Sequence, residues 1–155
     1  MSMVDITAKT EVYREAEAVG RIKLRRETIE RIKRGEIRKG DVVAIAKTAG
    51  ILAAKRTPEI IPLTHPIPLT SVNIDIEIGE TEIEARARVK TTYKTGVEIE
   101  ALTAIATTLI TIWDMVKEYE KDEEGQYPQT AIEEIKIVKK VKNTNNPPTH
   151  STLEH

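Results

Sequence analysis

Two neighbouring stretches of alternating apolar residues limit the folds open to this chain. Every second residue is apolar in 70–78 and again in 83–89, through Val72, Ile74, Ile76 and Ile78, then Ile83, Ala85, Ala87 and Val89. A period of two is that of a β-strand with one buried face. Gly79-Glu-Thr between the stretches supplies a turn. The sequence therefore predicts a β-hairpin whose apolar face other elements must cover.

Three helices are predicted to provide that cover. Apolar residues at helical spacing in 26–34 indicate a short helix that ends at Gly35. Asp41 can cap a second helix, which runs over small residues to about Thr57-Pro58. Residues 95–120 form the third helix, and its middle is apolar on nearly every face, as in a helix buried between a sheet and its neighbours.

Two further strands complete the order of elements. Residues 11–24 alternate like a half-exposed first strand, although Arg14 interrupts the pattern, and 130–141 form the last strand. Strand, helices, hairpin, helix and strand follow one another as in the split βαβ pattern of α+β proteins, with helices on one face of an antiparallel sheet. We expect one domain over 10–142, a flexible N-terminus over 1–9 and a disordered tail over 143–155.

The composition excludes several classes of function. With 24 Lys and Arg against 25 Asp and Glu, the formal charge is -1, so no general basic field favours nucleic acid or an anionic membrane. Absence of cysteine rules out disulfides and thiolate chemistry. No signal peptide is recognisable, which favours a cytoplasmic protein. Heavy use of Ile, Lys and Glu leans towards a thermophilic source.

His65 is the only histidine in the body of the chain, and it lies in a loop between Pro62 and Pro66. The prolines restrict the backbone and hold the direction of the ring, which suits contact with a ligand. The alternative is an ordinary surface histidine. No second histidine or cysteine in the body could complete a metal site, so no metal site is predicted.

The third predicted helix carries three carboxylates with different explanations. Thr95-Gly-Val-Glu98 has capping-box spacing, so Glu98 has a structural alternative, whereas Glu100 has none and is the better functional candidate. Asp114 interrupts the apolar segment, where an unpaired carboxylate would be costly. Lys117, three residues on, could compensate it as a simple ion pair.

Glu100 and Asp114 lie 14 residues apart, about 21 Å along a helix, too far for one small substrate to touch both. Either they serve different purposes or a second subunit completes the site; we favour a site at a symmetric interface. Lys39, at the start of the second helix, and Lys55, at its end, are each ordinary surface cations alone. Converging on one pocket, they would suit a polyphosphate.

Several motifs together resemble one family. They are Lys39-Gly-Asp41, Ala53-Ala-Lys-Arg-Thr57, Ile61-Pro-Leu-Thr-His-Pro66, Lys94-Thr-Gly-Val-Glu-Ile-Glu-Ala-Leu-Thr103 and Ile112-Trp-Asp-Met-Val-Lys117. From Met3 to about Val138, the sequence is similar to the cyclic pyranopterin monophosphate synthases, the molybdenum cofactor biosynthesis protein C (MoaC) family.

The resemblance implies a ferredoxin-like subunit in a homohexamer, a trimer of dimers with active sites between subunits. The expected reaction converts (8S)-3′,8-cyclo-7,8-dihydroguanosine 5′-triphosphate, made by a radical S-adenosylmethionine enzyme, into cyclic pyranopterin monophosphate and diphosphate. The resemblance leaves open whether Mg²⁺ accompanies the triphosphate, and no other cofactor is expected.

By the same resemblance, Asp114, Lys117 and Lys39 would be catalytic. The substrate-binding residues would be Leu63, Thr64, His65, Ile99, Glu100 and Lys55. Thr64 stands where the family usually has cysteine, so a thiol mechanism is disfavoured, and Trp113 stands where tyrosine is common. The competing interpretation is a non-catalytic ferredoxin-like module that binds a ligand or RNA, or a scaffold. Few aromatics and an acidic hairpin argue against RNA.

Overall fold

A computed structural model describes residues 1–143. The elements are β1 (Val12–Lys23), α1 (Arg26–Arg34), α2 (Val42–Lys55), α3 (Thr57–Ile60), β2 (Ser71–Ile78), β3 (Glu82–Tyr93), α4 (Glu98–Glu120) and β4 (Ala131–Asn143). The predicted order is confirmed, and the one-turn α3 is an addition to it. Asn143, which we expected to open the tail, ends β4, whereas 144–155 lie outside the described residues.

The four strands form one antiparallel sheet in the order β2-β3-β1-β4. This order is that of two split βαβ units, because each crossover joins strands that are not neighbours: β3 fills the gap between β1 and β2, and β1 fills the gap between β3 and β4. The predicted hairpin is confirmed, with Ile74 opposite Ala87 and Ile78 opposite Ile83. The α+β fold class is therefore as expected, and β1 is a central strand.

Helices α2 and α4 pack on the apolar face of the sheet, and glycines allow two close approaches, one between β1 and α4 and one between α2 and α4. A Cβ at Gly20 of β1 would come within 2.8 Å of Ile105 and Leu109 of α4. A Cβ at Gly50 of α2 would overlap the Thr108 hydroxyl of α4 and lie 3.0 Å from the Ala104 carbonyl oxygen. Glycine at these positions lets the layers approach closely.

The opposite face of the sheet carries charges, and it corrects the prediction for β1. That strand is buried over most of its length rather than half-exposed. Glu17 lies on the charged face, yet Arg86 and Arg88 of β3 cover it, with N–O distances of 2.7 and 3.5 Å. The Arg86 hydrogen bond holds the pKa of Glu17 below its usual value. A central strand is covered by its neighbours' long side chains even where its own residues are polar.

Helix α4 is long and apolar enough to cross a membrane by length and composition alone. Its inner face is instead buried against the sheet and α2, with Ile105, Leu109 and Ile112 fully inaccessible. The apolar composition is that of a core helix in a folded domain, and α4 supports the residues on which function is expected to depend.

Glu120 at the end of α4 is a buried carboxylate, and the donors that it receives within residues 1–143 are neutral. It is 1% exposed and accepts hydrogen bonds from the Arg25 backbone N–H at 3.1 and 3.2 Å, from the Thr28 hydroxyl, and from the Thr130 hydroxyl at 2.8 Å. These donors compensate the cost of burying the group. Glu120 thereby connects the start of α1, the end of α4 and the entry to β4.

Candidate active site

A cavity of about 290 Å³ lies between the loop after α3 and the start of α4. The structure brings five predicted substrate-binding residues together in its wall, with three residues of the N-terminal segment on the other side. The lining includes Leu63, Thr64, His65, Ile99, Glu100, Val4, Ile6 and Lys9. We call this the His65 cavity.

The contacts of His65 define which ring nitrogen is free. Its Nε2 lies 2.7 Å from the Val4 carbonyl oxygen. A carbonyl only accepts, so Nε2 carries the proton and the neutral ring leaves its lone pair on Nδ1. The same N-terminal segment accepts a hydrogen bond from Lys94 Nζ at the Thr7 carbonyl, at 3.3 Å. These contacts place the segment against the cavity, and its flexibility stays a prediction.

Glu100 supplies the cavity with a carboxyl group that titrates near neutrality. The residue is 3% exposed, and burial raises its pKa from 4.5 to about 7, with a smaller contribution from the charge of Glu98. A group whose pKa lies near the working pH can both release and accept a proton.

The capping-box interpretation of Glu98 is wrong. Helix α4 begins at Glu98 with Val97 as its N-cap, and no side chain caps it. The helix starts three residues later than predicted, so Thr95 lies outside it. The Glu98 carboxylate instead pairs with Lys140 of β4 at 3.0 Å.

Asp114 is not sequestered, which corrects the expectation of a buried carboxylate. Its side chain is 55% exposed, because Asp114 lies on the outer face of α4, where Ile110 is also 59% exposed. Two ammonium groups hold it: Lys39 Nζ at 3.0 Å from Oδ2 and Lys117 Nζ at 3.2 Å from Oδ1. These hydrogen bonds, that of Lys39 first, lower the pKa of Asp114. The sequence had suggested a simple ion pair between Asp114 and Lys117. Lys39 joins that pair, so the three residues form one cluster, which we call the Asp114 cluster.

This cluster borders a second, mostly apolar cavity of about 370 Å³, lined by Ile110, Trp113, Asp114, Lys117 and Ile132. The predicted site residues therefore form two groups on one chain, near Glu100 and near Asp114, about 21 Å apart along α4. Lys55 is exposed at the end of α2 and lines neither of these two cavities.

Sequence reasoning missed a basic group beside the His65 cavity. Lys9 lines that cavity and also a neighbouring one of about 290 Å³, which it shares with Arg14 and Lys142. Arg14 is 8% exposed; its Nη2 donates to the Lys94 carbonyl at 3.3 Å, while its buried Nε has no partner among residues 1–143. In the sequence, the only sign of this basic group was that Arg14 interrupts the alternating pattern of β1. We call Lys9, Arg14 and Lys142 the basic cluster.

Comparison with known proteins identifies the family of the chain. The MoaC family model matches residues 3–143. A protein of Sulfurisphaera tokodaii is 59% identical over 140 residues, 90% of this chain and 93% of its own length. One from Thermococcus onnurineus is 61% identical over 142 residues, 92% of this chain and 91% of its own. Both are described as probable cyclic pyranopterin monophosphate synthases. The chain therefore belongs to the MoaC family.

Proposed function

We propose that the chain is a cyclic pyranopterin monophosphate synthase of molybdenum cofactor biosynthesis, a lyase. The substrate would be (8S)-3′,8-cyclo-7,8-dihydroguanosine 5′-triphosphate, and the products cyclic pyranopterin monophosphate and diphosphate. Family membership over residues 3–143 and the description shared by relatives at about 60% identity support this activity.

The observation that carries the proposal is that Glu100 and His65 line the same cavity. Rebuilding a purine into a pterin requires protons to be removed and returned at several atoms. Glu100, with a pKa of about 7, is suited to such transfers near neutral pH. His65 lines the same cavity, and its Nδ1 lone pair would accept a hydrogen bond from the substrate. Leu63, Thr64 and Ile99 would hold the base against these groups.

The Asp114 cluster supplies the charge needed for phosphate chemistry. Two lysines around one carboxylate leave one positive charge in excess, and Asp114 directs both ammonium groups to one place. Such an arrangement stabilises the charge that develops when diphosphate leaves. The basic cluster beside the His65 cavity would bind the triphosphate, because its three cationic side chains line one neighbouring cavity. Lys55 would assist only if another subunit approaches it.

Assembly is part of the proposal, because the two halves of the site are too far apart in one chain. A second copy would set its Asp114 cluster beside the His65 cavity, and the exposed Ile110 next to Asp114 suits such a protein contact. We propose the homohexamer expected of the family, a trimer of dimers. A cytoplasmic location and a radical S-adenosylmethionine enzyme as supplier of the substrate belong to the same proposal.

The non-catalytic alternatives receive less support. The open face of the sheet, where RNA would bind in a fold of this kind, carries paired acids and bases such as Glu17 with Arg86. A scaffold would have no need of a buried carboxyl that titrates near pH 7 in the same cavity as an oriented imidazole.

The test is to supply the cyclic triphosphate to the purified protein and measure the oxidised, fluorescent pterin product. We expect turnover by the wild type, and an Asp114→Asn variant that folds and assembles normally but forms little product. Asp75→Asn, an exposed carboxylate on β2, is the matched control and should retain activity. Near-normal turnover by Asp114→Asn would contradict its catalytic role, and an inactive wild type would favour the scaffold.

A further inference from the structure

Lys39 reaches its partner from a loop. Residues 35–41 connect α1 to α2, and we call them the Lys39 loop. Lys39 Nζ lies 3.0 Å from both Asp114 Oδ2 and the Asp114 carbonyl oxygen. A half-exposed lysine loses much side-chain entropy when held in one geometry. This contact therefore depends on how firmly the backbone of the loop is held.

Tyr119 attaches α1 and the Lys39 loop to α4. Its hydroxyl oxygen accepts a hydrogen bond from the Arg38 backbone N–H at 3.0 Å, one residue before Lys39. Its ring lies under the Arg31 guanidinium, 4.7 Å from the centroid. Its carbonyl accepts a hydrogen bond from Arg25 Nη1 at 3.0 Å. One residue thus contacts the entry to α1, the body of α1 and the Lys39 loop.

An ion pair also joins the loop to this end of α4, but it is weaker. The Arg38 guanidinium pairs with Glu118 at 3.3 Å, but the two side chains are 77% and 39% exposed. Ion pairs this exposed contribute little to holding a geometry. Tyr119, by contrast, packs partly buried against the core and lies five residues after Asp114 on the same helix. The anchor of the loop and the target of Lys39 therefore share one rigid element.

We propose that Tyr119 is a positioning residue for the synthase reaction: its hydroxyl holds the backbone at Arg38 and so sets the Lys39 ammonium on Asp114. The catalytic importance of this placement rests on the proposed function. The placement itself depends only on the contacts of Tyr119, Arg38, Lys39 and Asp114.

Tyr119→Phe separates positioning from general packing. Phenylalanine keeps the ring, the contact with Arg31 and the backbone carbonyl, and loses only the acceptor for Arg38. Tyr13→Phe is the matched control, because it also removes one tyrosine hydroxyl and its hydrogen bond, here donated to the Glu15 carboxylate at 3.1 Å on the other face of the sheet. If Tyr119 acts only through packing, both variants behave alike.

Two readouts decide the matter. The first is kcat/KM with the cyclic triphosphate, which we expect to fall about 2- to 12-fold in Tyr119→Phe, the equivalent of one hydrogen bond, and to stay unchanged in Tyr13→Phe. The second is titration of the Asp114 carboxyl by ¹³C NMR. Lys39 and Lys117 are the charged groups facing it, so looser placement of Lys39 should move the titration towards higher pH. In a Lys39→Ala background, adding Tyr119→Phe should leave the Asp114 titration unchanged.

The titration does not depend on turnover, so failure of the proposed function and failure of this inference are distinguishable. An inactive wild type in which Tyr119→Phe still shifts the Asp114 titration would refute the activity and keep the positioning. An active wild type in which Tyr119→Phe changes neither kcat/KM nor the titration would overturn the positioning.

Discussion

The difference in unfolding free energy between Glu100→Gln and the wild type should shift in favour of the variant as the pH rises from acidic to alkaline. Burial raises the pKa of Glu100 from 4.5 to about 7 in the folded chain. Below pH 4.5 the group is protonated in both states and costs nothing. Between pH 4.5 and 7 the unfolded chain releases the proton and the folded chain retains it, so the stability contributed by this group falls as pH rises.

The size of the effect follows from the interval of about 2.5 pH units between these two values. At about 1.4 kcal/mol per unit, the wild type loses about 3 kcal/mol through this group by pH 8. Glutamine has a similar shape and does not titrate. Any constant effect of the buried amide cancels when the difference between variant and wild type is compared at two pH values.

The assay is urea unfolding of both proteins at pH 4 and pH 8, at one protein concentration so that assembly does not enter the comparison. Glu123→Gln, an exposed carboxylate in the connection after α4, is the control and should show no such change. If the difference between Glu100→Gln and the wild type were the same at both pH values, the carboxyl would not be held neutral by burial, and its proposed role in proton transfer would lose its basis.

Two further predictions concern the fold that supports the site. Gly50→Ala should lose about 1–3 kcal/mol of stability, because the new methyl group would overlap the Thr108 hydroxyl; an unchanged urea midpoint would show that α2 and α4 can separate. Glu17→Gln should lose about 1–3 kcal/mol at pH 7, since Arg86 stabilises the ionised form. Because the pKa of Glu17 is lowered in the folded protein, this loss of stability should vanish as the pH falls through that pKa. Urea unfolding at pH 7 and in acid tests this, and a loss that persisted in acid would contradict the argument.

The fold could be predicted from the sequence because the relevant signals are local. Alternating apolar residues identified the hairpin, and Gly35 and Asp41 marked the end of one helix and the start of the next. The burial of β1 could not be predicted in this way. It depends on Arg86 and Arg88, which are distant in sequence and cover Glu17 only after the strands pair.

The candidate site was harder to predict, for a related reason. Asp114 lies among apolar residues in the sequence, and this suggested burial, but Ile110 and Asp114 lie on an outer face that the isolated chain leaves exposed. The Lys39 contact with Asp114 joins positions 75 residues apart. The N-terminal wall of the His65 cavity and the basic cluster also come from segments without a recognisable motif.

The Glu120 carboxylate has a consequence for how the molecule opens. If α1 frayed from the body alone, the Arg25 N–H and the Thr28 hydroxyl would leave an anion half-solvated inside the protein, which is unfavourable. Partial detachment is therefore penalised, and this region should exchange its amide hydrogens together with the rest of the domain rather than earlier. A single acidic side chain thus couples the fluctuations of the first helix to those of the last strand.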